Sequence, residues 1–251
     1  MLLRGGSDCV RPPYRLELEP APRKIWQLKR SREGCFVFHI HLQLLIAALD
    51  FAGIAVASIG GALHAHRHPR YHYDIIGVFG LALTSALGGG GVRDILLQHG
   101  PPLALVDVWY CYVACLAAIL TLLLATRIGD RTEKFMLYID AAAISLFAVS
   151  GTARAEGFGT AWLPAIMLGV ITAVGGGSLR DVLSGSTPRV FERGNFYAIA
   201  AVVTALTYLL LIRLNFLHVW CVVAAVLVGF TLRILSIQLN WTTVSVHRGR
   251  G

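Results

Sequence analysis

Gly88-Gly-Gly-Gly-Val-Arg93-Asp94-Ile-Leu96 recurs as Gly175-Gly-Gly-Ser-Leu-Arg180-Asp181-Val-Leu183, so one chain carries the same phrase twice. The match extends outward with its spacing kept. Downstream, Pro101 falls opposite Pro188 and Tyr110 opposite Tyr197; upstream, residues 50–61 align with residues 140–151 and hold Asp50 and Gly61 at the separation of Asp140 and Gly151. Self-similarity at a fixed period is the mark of a duplicated unit, here about 90 residues long.

What the unit is made of follows from composition. Of 251 residues, 56% are hydrophobic and 14% charged, against about 25% charged in an ordinary soluble domain. Uncharged apolar stretches at 108–126, 196–212 and 215–231 approach the roughly 20 residues that cross about 30 Å of hydrocarbon. Hydropathy and breakers predict seven spans, at about 38–63, 74–97, 106–125, 136–153, 162–184, 196–213 and 217–235. Three fall in each copy of the repeat. An odd number sends the second copy in from the opposite face, which gives inverted repeats about an axis in the membrane plane.

The expected fold is an all-α integral membrane protein with two inverted three-helix repeats, 38–125 and 136–213, and a seventh helix at 217–235. Helices 2 and 5 are expected to break at the glycine runs. Residues 1–35, where Pro12, Pro13, Pro20 and Pro22 precede Arg23, Lys24, Lys29, Arg30 and Arg32, read as a basic, Pro-rich, disordered tail, and 236–251 as a C-terminal tail.

The formal charge of +8 resides in the tails and short loops rather than in a basic stripe, which suits anionic lipid headgroups and argues against nucleic acid. Cys111, Cys115 and Cys221 lie inside apolar spans as small hydrophobes, with no redox motif. Arg67, Arg70, Arg127, Arg131, Lys134, Arg189 and Arg193 follow spans one, three and five, whereas only Arg154 and Arg213 follow spans four and six. By the positive-inside rule the C-terminus is cytoplasmic and the N-terminus outside.

Three consecutive glycines cost a helix about 1 kcal/mol each relative to alanine, so they need a reason. Two reasons compete: close helix packing, where missing side chains let backbones touch, or a broken helix whose freed carbonyls and amides bind polar solute near the midplane. On the second reading, Gly88, Gly89 and Gly90 with Gly175, Gly176 and Gly177 form the kinks, and Asp94 and Asp181 cap the first turn of the second half-helices. Arg93 and Arg180 are unfavourable at that end. Their natural partners are carboxylates across the repeat axis, Arg93 with Asp181 and Arg180 with Asp94, in either a gate or a purely structural role. Asp50 and Asp140, inside spans one and four, are further candidates for lining a pore. The four histidines of loop 64–72 have no counterpart in the second copy and read as a solvated loop; Trp109, Trp162, Trp220 and Tyr110 read as interfacial anchors.

Two Gly-Gly-Gly-x-x-Arg-Asp motifs in a three-plus-three-plus-one membrane chain resemble the prokaryotic TRIC (trimeric intracellular cation) channel family, also filed under a glycine transporter domain name. The resemblance covers about residues 40–235. It implies a homotrimer in the cell's inner membrane, each protomer with a pore at spans two and five that passes monovalent cations such as potassium. Carried over, the kinks fall at Gly88–Gly90 and Gly175–Gly177, followed by Arg93, Asp94, Arg180 and Asp181. The rival expectation is a secondary transporter for a small amino acid such as glycine, its carboxylate docked on glycine amides and an arginine. With neither a His-Glu-x-x-His pair nor a Gly-x-Ser-x-Gly elbow, no enzyme, cofactor or metal site is expected.

Overall fold

A computed structural model describes residues 24–98, 100–125, 132–192 and 196–241, with side chains described from residue 43 onward in these segments except at residues 125 and 132–134. The chain divides into two units, Met1–His41 and Leu42–Gly251. In the first, the described residues 24–41 are helical and open α1 (Lys24–His66), so helix begins inside the stretch read as a tail. Residues 1–23 and 242–251, the rest of the two expected tails, lie outside the described residues.

Every element among the described residues is helical. After α1 come α2 (Ile75–Leu97), a single-turn α3 (Leu103–Val106), α4 (Val108–Ala125), α5 (Thr132–Gly157), α6 (Trp162–Leu183), α7 (Tyr197–Arg213) and α8 (His218–Gln238). Each of the seven expected spans overlaps one of the seven longer helices. Five segments, beginning with Gln43–His66 of α1, are long and apolar enough to cross a bilayer, while Val108–Leu124 and Tyr197–Arg213 are shorter apolar helices. Leu116, Leu120 and Leu123 on α4 and Trp220, Val223 and Leu227 on α8 turn outward, as lipid solvent requires.

Local chemistry sets the helix ends. The Asp74 carboxylate accepts from the Gly77 amide at 2.8 Å and starts α2. Pro164 sits in the first turn of α6, where no amide partner is needed. Inside the bundle, buried hydroxyls return to their own helix: Thr152 donates to the Ala148 carbonyl at 2.7 Å and Thr172 to the Leu168 carbonyl at 2.6 Å. No hydroxyl of this pair is left without a partner in a medium that cannot supply one.

The glycine runs correct the expectation of broken helices: α2 and α6 are helical straight through them. The two helices cross backbone to backbone. A Cβ on Gly89 would run into the Thr172 carbonyl oxygen, and a Cβ on Gly176 into the Ser85 carbonyl oxygen, the same contact seen from each copy of the repeat. Close packing is therefore the reason for Gly89 and Gly176. The same device recurs on either side. A Cβ on Gly61 would lie 2.8 Å from the Ala82 Cα, and one on Gly151 3.0 Å from the Gly169 Cα, so α1 meets α2 as α5 meets α6.

Candidate functional site

Two buried charge clusters flank the α2–α6 crossing. In the first, Asp50 of α1 is 2% exposed and surrounded by donors from three other helices. Arg154 Nη2 (α5) donates to its Oδ2 at 2.7 Å, Tyr110 OH (α4) to Oδ2 at 3.3 Å, and Arg93 Nη1 (α2) to Oδ1 at 3.5 Å; the Ser150 hydroxyl (α5) also donates to Oδ1. Arg93 Nε holds the neighbouring Asp94 at 2.8 Å, and the other Asp94 oxygen accepts from the Leu103 amide at 3.0 Å.

The second cluster repeats the plan with the second copy's residues. Arg180 (α6) holds Asp181 through Nη2 at 2.7 Å and Nε at 2.9 Å, and Asp181 Oδ2 accepts from the Arg189 amide at 3.3 Å. Tyr197 OH (α7) donates to Asp140 Oδ1 (α5) at 3.4 Å, and Arg189 Nη1 lies 3.7 Å from Asp140 Oδ2. Arg233 of α8, 3% exposed, lies over the Tyr197 ring at 5.0 Å. Its Nε and Nη1 have no hydrogen-bond partner, and neither does Asp140 Oδ2. With three arginines to two aspartates, this cluster carries an excess cation that the first, with two of each, does not.

Three expectations change. The arginines pair within their own copy of the repeat and not across the axis: Arg93 takes Asp94 and Asp50, and Arg180 takes Asp181. The cause is the unbroken helix. Asp94 and Asp181 stand in the last turns of α2 and α6 rather than the first turns of half-helices. There a basic residue complements the dipole and a carboxylate needs outside donors, which the adjacent arginine and the loop amide supply. Tyr110 is no interfacial anchor, being 7% exposed and bonded to Asp50, whereas Trp109, Trp162 and Trp220 are exposed. The histidine loop is not merely solvated: His64 Nε2 lies 3.0 Å from the Ser184 hydroxyl and His68 Nε2 3.5 Å from that of Ser186, which ties it to the end of α6.

Each cluster adjoins a cavity of about 20 Å³, room for about one water. Gly90, Gly91, Asp50, Arg93 and Asp94 line the first; Gly176, Gly177, Asp140 and Arg180 line the second. The glycine runs thus have two faces, one against the crossing helix and one bare toward a cavity that an aspartate and an arginine also line. At Gly177 a Cβ would lie 2.9 Å from Tyr197 OH, 3.7 Å from Arg180 Nη2 and 4.0 Å from Asp140 Oδ1, so a side chain there would fill the second site. Outward from the first cluster, a space of about 60 Å³ is bounded by Asp94 and Arg154. Outward from the second, about 640 Å³ opens between His64, Asp181, Arg189 and Glu192.

Sequence reasoning missed Arg154, Ser150, Arg189, Tyr197 and Arg233 as members of the site. Arg154 and Arg189 were counted as loop charges, and Arg233 lies in the helix outside the duplication. The repeat itself held one clue. Tyr110 and Tyr197 occupy matched positions, which an interfacial anchor does not need.

The family model described as "Glycine transporter" matches residues 47–126 and 137–213, one segment for each copy of the repeat. The chain is 36% identical over 154 residues to a "UPF0126 membrane protein" of Deinococcus radiodurans, covering 61% of this chain and 70% of that one. It is 36% identical over 166 residues to the "UPF0126 inner membrane protein YadS" of Escherichia coli K12, covering 66% and 78%. Its structure is similar to one solved under the description "Structural basis for conductance through TRIC cation channels", with a TM-score of 0.71 and 31% identity over 82% of this chain and 98% of that one. It is also similar to the TRIC trimeric intracellular cation channel orthologue from Rhodobacter sphaeroides, with a TM-score of 0.72 and 31% identity over 77% and 98%. The chain belongs to the membrane protein family of the glycine transporter model and the TRIC channels.

Proposed function

We propose that this chain is a membrane channel for monovalent cations, potassium among them, with a permeation path inside each protomer of a homotrimer. The observation that carries the reading is the pair of small aspartate-lined cavities on either side of the α2–α6 crossing, with two further, separate spaces bounded by charged residues of the same two clusters. The fold match to TRIC cation channels supports the same reading. With α2 and α6 helical throughout, their carbonyls are engaged in the helices. Replacement of an ion's hydration shell therefore falls to carboxylates, tyrosine hydroxyls and retained water.

In this reading Asp50 and Asp140 set the sign of the transported charge, while Arg93 and Arg180 hold Asp94 and Asp181 in place and keep the buried carboxylates compatible with a low-dielectric setting. Gly90, Gly91 and Gly177 keep side chains out of the path, while Gly88 and Gly175 face the crossing helix beside Gly89 and Gly176. The protein sits in the inner membrane with its N-terminus outside and its C-terminus in the cytoplasm, an orientation tested by labelling single cysteines placed at the two termini of intact cells.

A second reading, uptake of a small amino acid such as glycine, draws support from the family description and from the 640 Å³ opening, which is roomy enough for one. Planar-bilayer recording of the full chain separates the two. The channel reading expects ohmic unitary currents in potassium without any amino acid; saturable glycine uptake with no unitary conductance overturns it.

A further inference from the structure

We infer that Phe147 is the gate of the proposed path, a single aromatic ring that divides the two aspartate-lined cavities and must move or be wetted before an ion passes. The inference rests on the channel reading. Phe147 lines both cavities: the one that holds Asp50, Arg93 and Asp94 and the one that holds Asp140 and Arg180. It is 5% exposed and belongs to an apolar cluster with Ile54, Ala57 and Ile144. A charged or hydrated species going from one aspartate to the other therefore meets a dry partition. Apolar constrictions of this kind close a pore by excluding water, with no need for a tight seal.

The ring's placement follows from the helix period. Asp140, Phe147 and Arg154 recur every seven residues on α5, so they share one face. At about 1.5 Å per residue, Phe147 stands roughly 10 Å along the axis from each. One helix thus carries an acid of the second cluster, the ring between them, and a base that grips Asp50 of the first. A small rotation of α5 would move all three together.

The opposite wall is shaped to receive the ring. A Cβ on Gly53 would lie 2.8 Å from Phe147 Cε1, so the absence of a side chain there gives the ring its resting place against α1. The repeat also supplies a built-in comparison, because the position matching Phe147 is Ala57. Ala57 lines only the second cavity. The duplicated path is bulky on one side alone, which leaves a single moving part.

Recording from the full chain in planar bilayers in symmetric potassium chloride tests this, comparing wild type with Phe147→Ala and with Phe147→Tyr. Phe147→Ala removes the partition; Phe147→Tyr keeps its volume but adds a hydroxyl that wets it, and so carries the test if the smaller variant fails to insert. The gate predicts a several-fold rise in open probability or unitary current for Phe147→Ala and a smaller rise for Phe147→Tyr. Wild-type currents that persist unchanged in every variant that inserts overturn the gate and leave the channel standing. Silence from wild type and variants alike overturns the channel reading, and the gate with it.

Discussion

Arg154, near the end of α5, donates to Asp50 of α1 at 2.7 Å across 104 residues of sequence, so a base of the second repeat neutralises the central acid of the first. The matched position in the first repeat is His64, which sits beside Ser184 at the other cluster. Arg154 is thus a cation on loan from the second repeat to the first repeat's site, whereas His64 meets a hydroxyl and not a carboxylate.

Removing that loan tests whether the acid faces the path. Arg154→Gln leaves Asp50 with Arg93, Tyr110 and Ser150 and makes the first cluster one charge more negative. Unitary potassium conductance is expected to rise. A conductance equal to wild type, in a protein of unchanged thermal stability, argues that ions do not pass Asp50.

The crossing of α2 and α6 makes a sharp contrast between glycines one turn apart or less. Gly89→Ala and Gly176→Ala drive a methyl into a carbonyl of the facing helix, and overpacking of this kind costs about 1–3 kcal/mol. Gly91 has open space around its Cβ direction, so Gly91→Ala is expected to be neutral or to stabilise by up to about 1 kcal/mol through helix propensity. Thermal unfolding in detergent ranks the three; a loss at Gly91 as large as that at Gly89 contradicts the packing geometry.

Arg180 and Arg233 are both buried in one cluster but differ in partners. Arg180 holds Asp181 with two hydrogen bonds, whereas Nε and Nη1 of Arg233 hold nothing. Breaking a buried pair by removing one partner costs about 3–5 kcal/mol. Arg180→Met is expected to fall in that range. Arg233→Met, which removes orphaned donors and leaves an apolar chain over Tyr197, is expected to be neutral or stabilising. Chemical or thermal denaturation compares the two, and equal large losses would mean that Arg233 holds Asp140 after all.

The bundle was legible because lipid imposes a simple rule: a span must be apolar and helical along its length, and the duplicated Gly-Arg-Asp phrase fixed which spans correspond. Helix identity followed, and four helices match their expected bounds to within two residues, but α1 begins at Lys24 rather than 38, α5 runs over 132–157 rather than 136–153, and α8 ends at Gln238 rather than 235. What misled was the meaning of glycine. A run of three reads equally as a break or as a flat surface, and the choice depends on whether another backbone lies against it, which no local pattern states. Gly89 needed Thr172, and Gly176 needed Ser85, to be understood. The cross-axis ion pairs failed for the same reason, since they presumed half-helices that are absent. Asp50, Asp140, Arg93 and Arg180 stood out early because a charge in a span demands explanation. Arg154 and Arg189 did not, because near a span end an arginine is expected anyway.

On the channel reading, permeant ions pass the two buried aspartates. The reversal potential of wild type and of the Asp50→Asn/Asp140→Asn double variant across a potassium chloride gradient tests it most directly. Wild type is predicted to reverse near the potassium equilibrium potential, and the double variant, with its arginines left in excess, to shift toward the chloride potential. A double variant that still conducts and reverses where wild type does would contradict the claim.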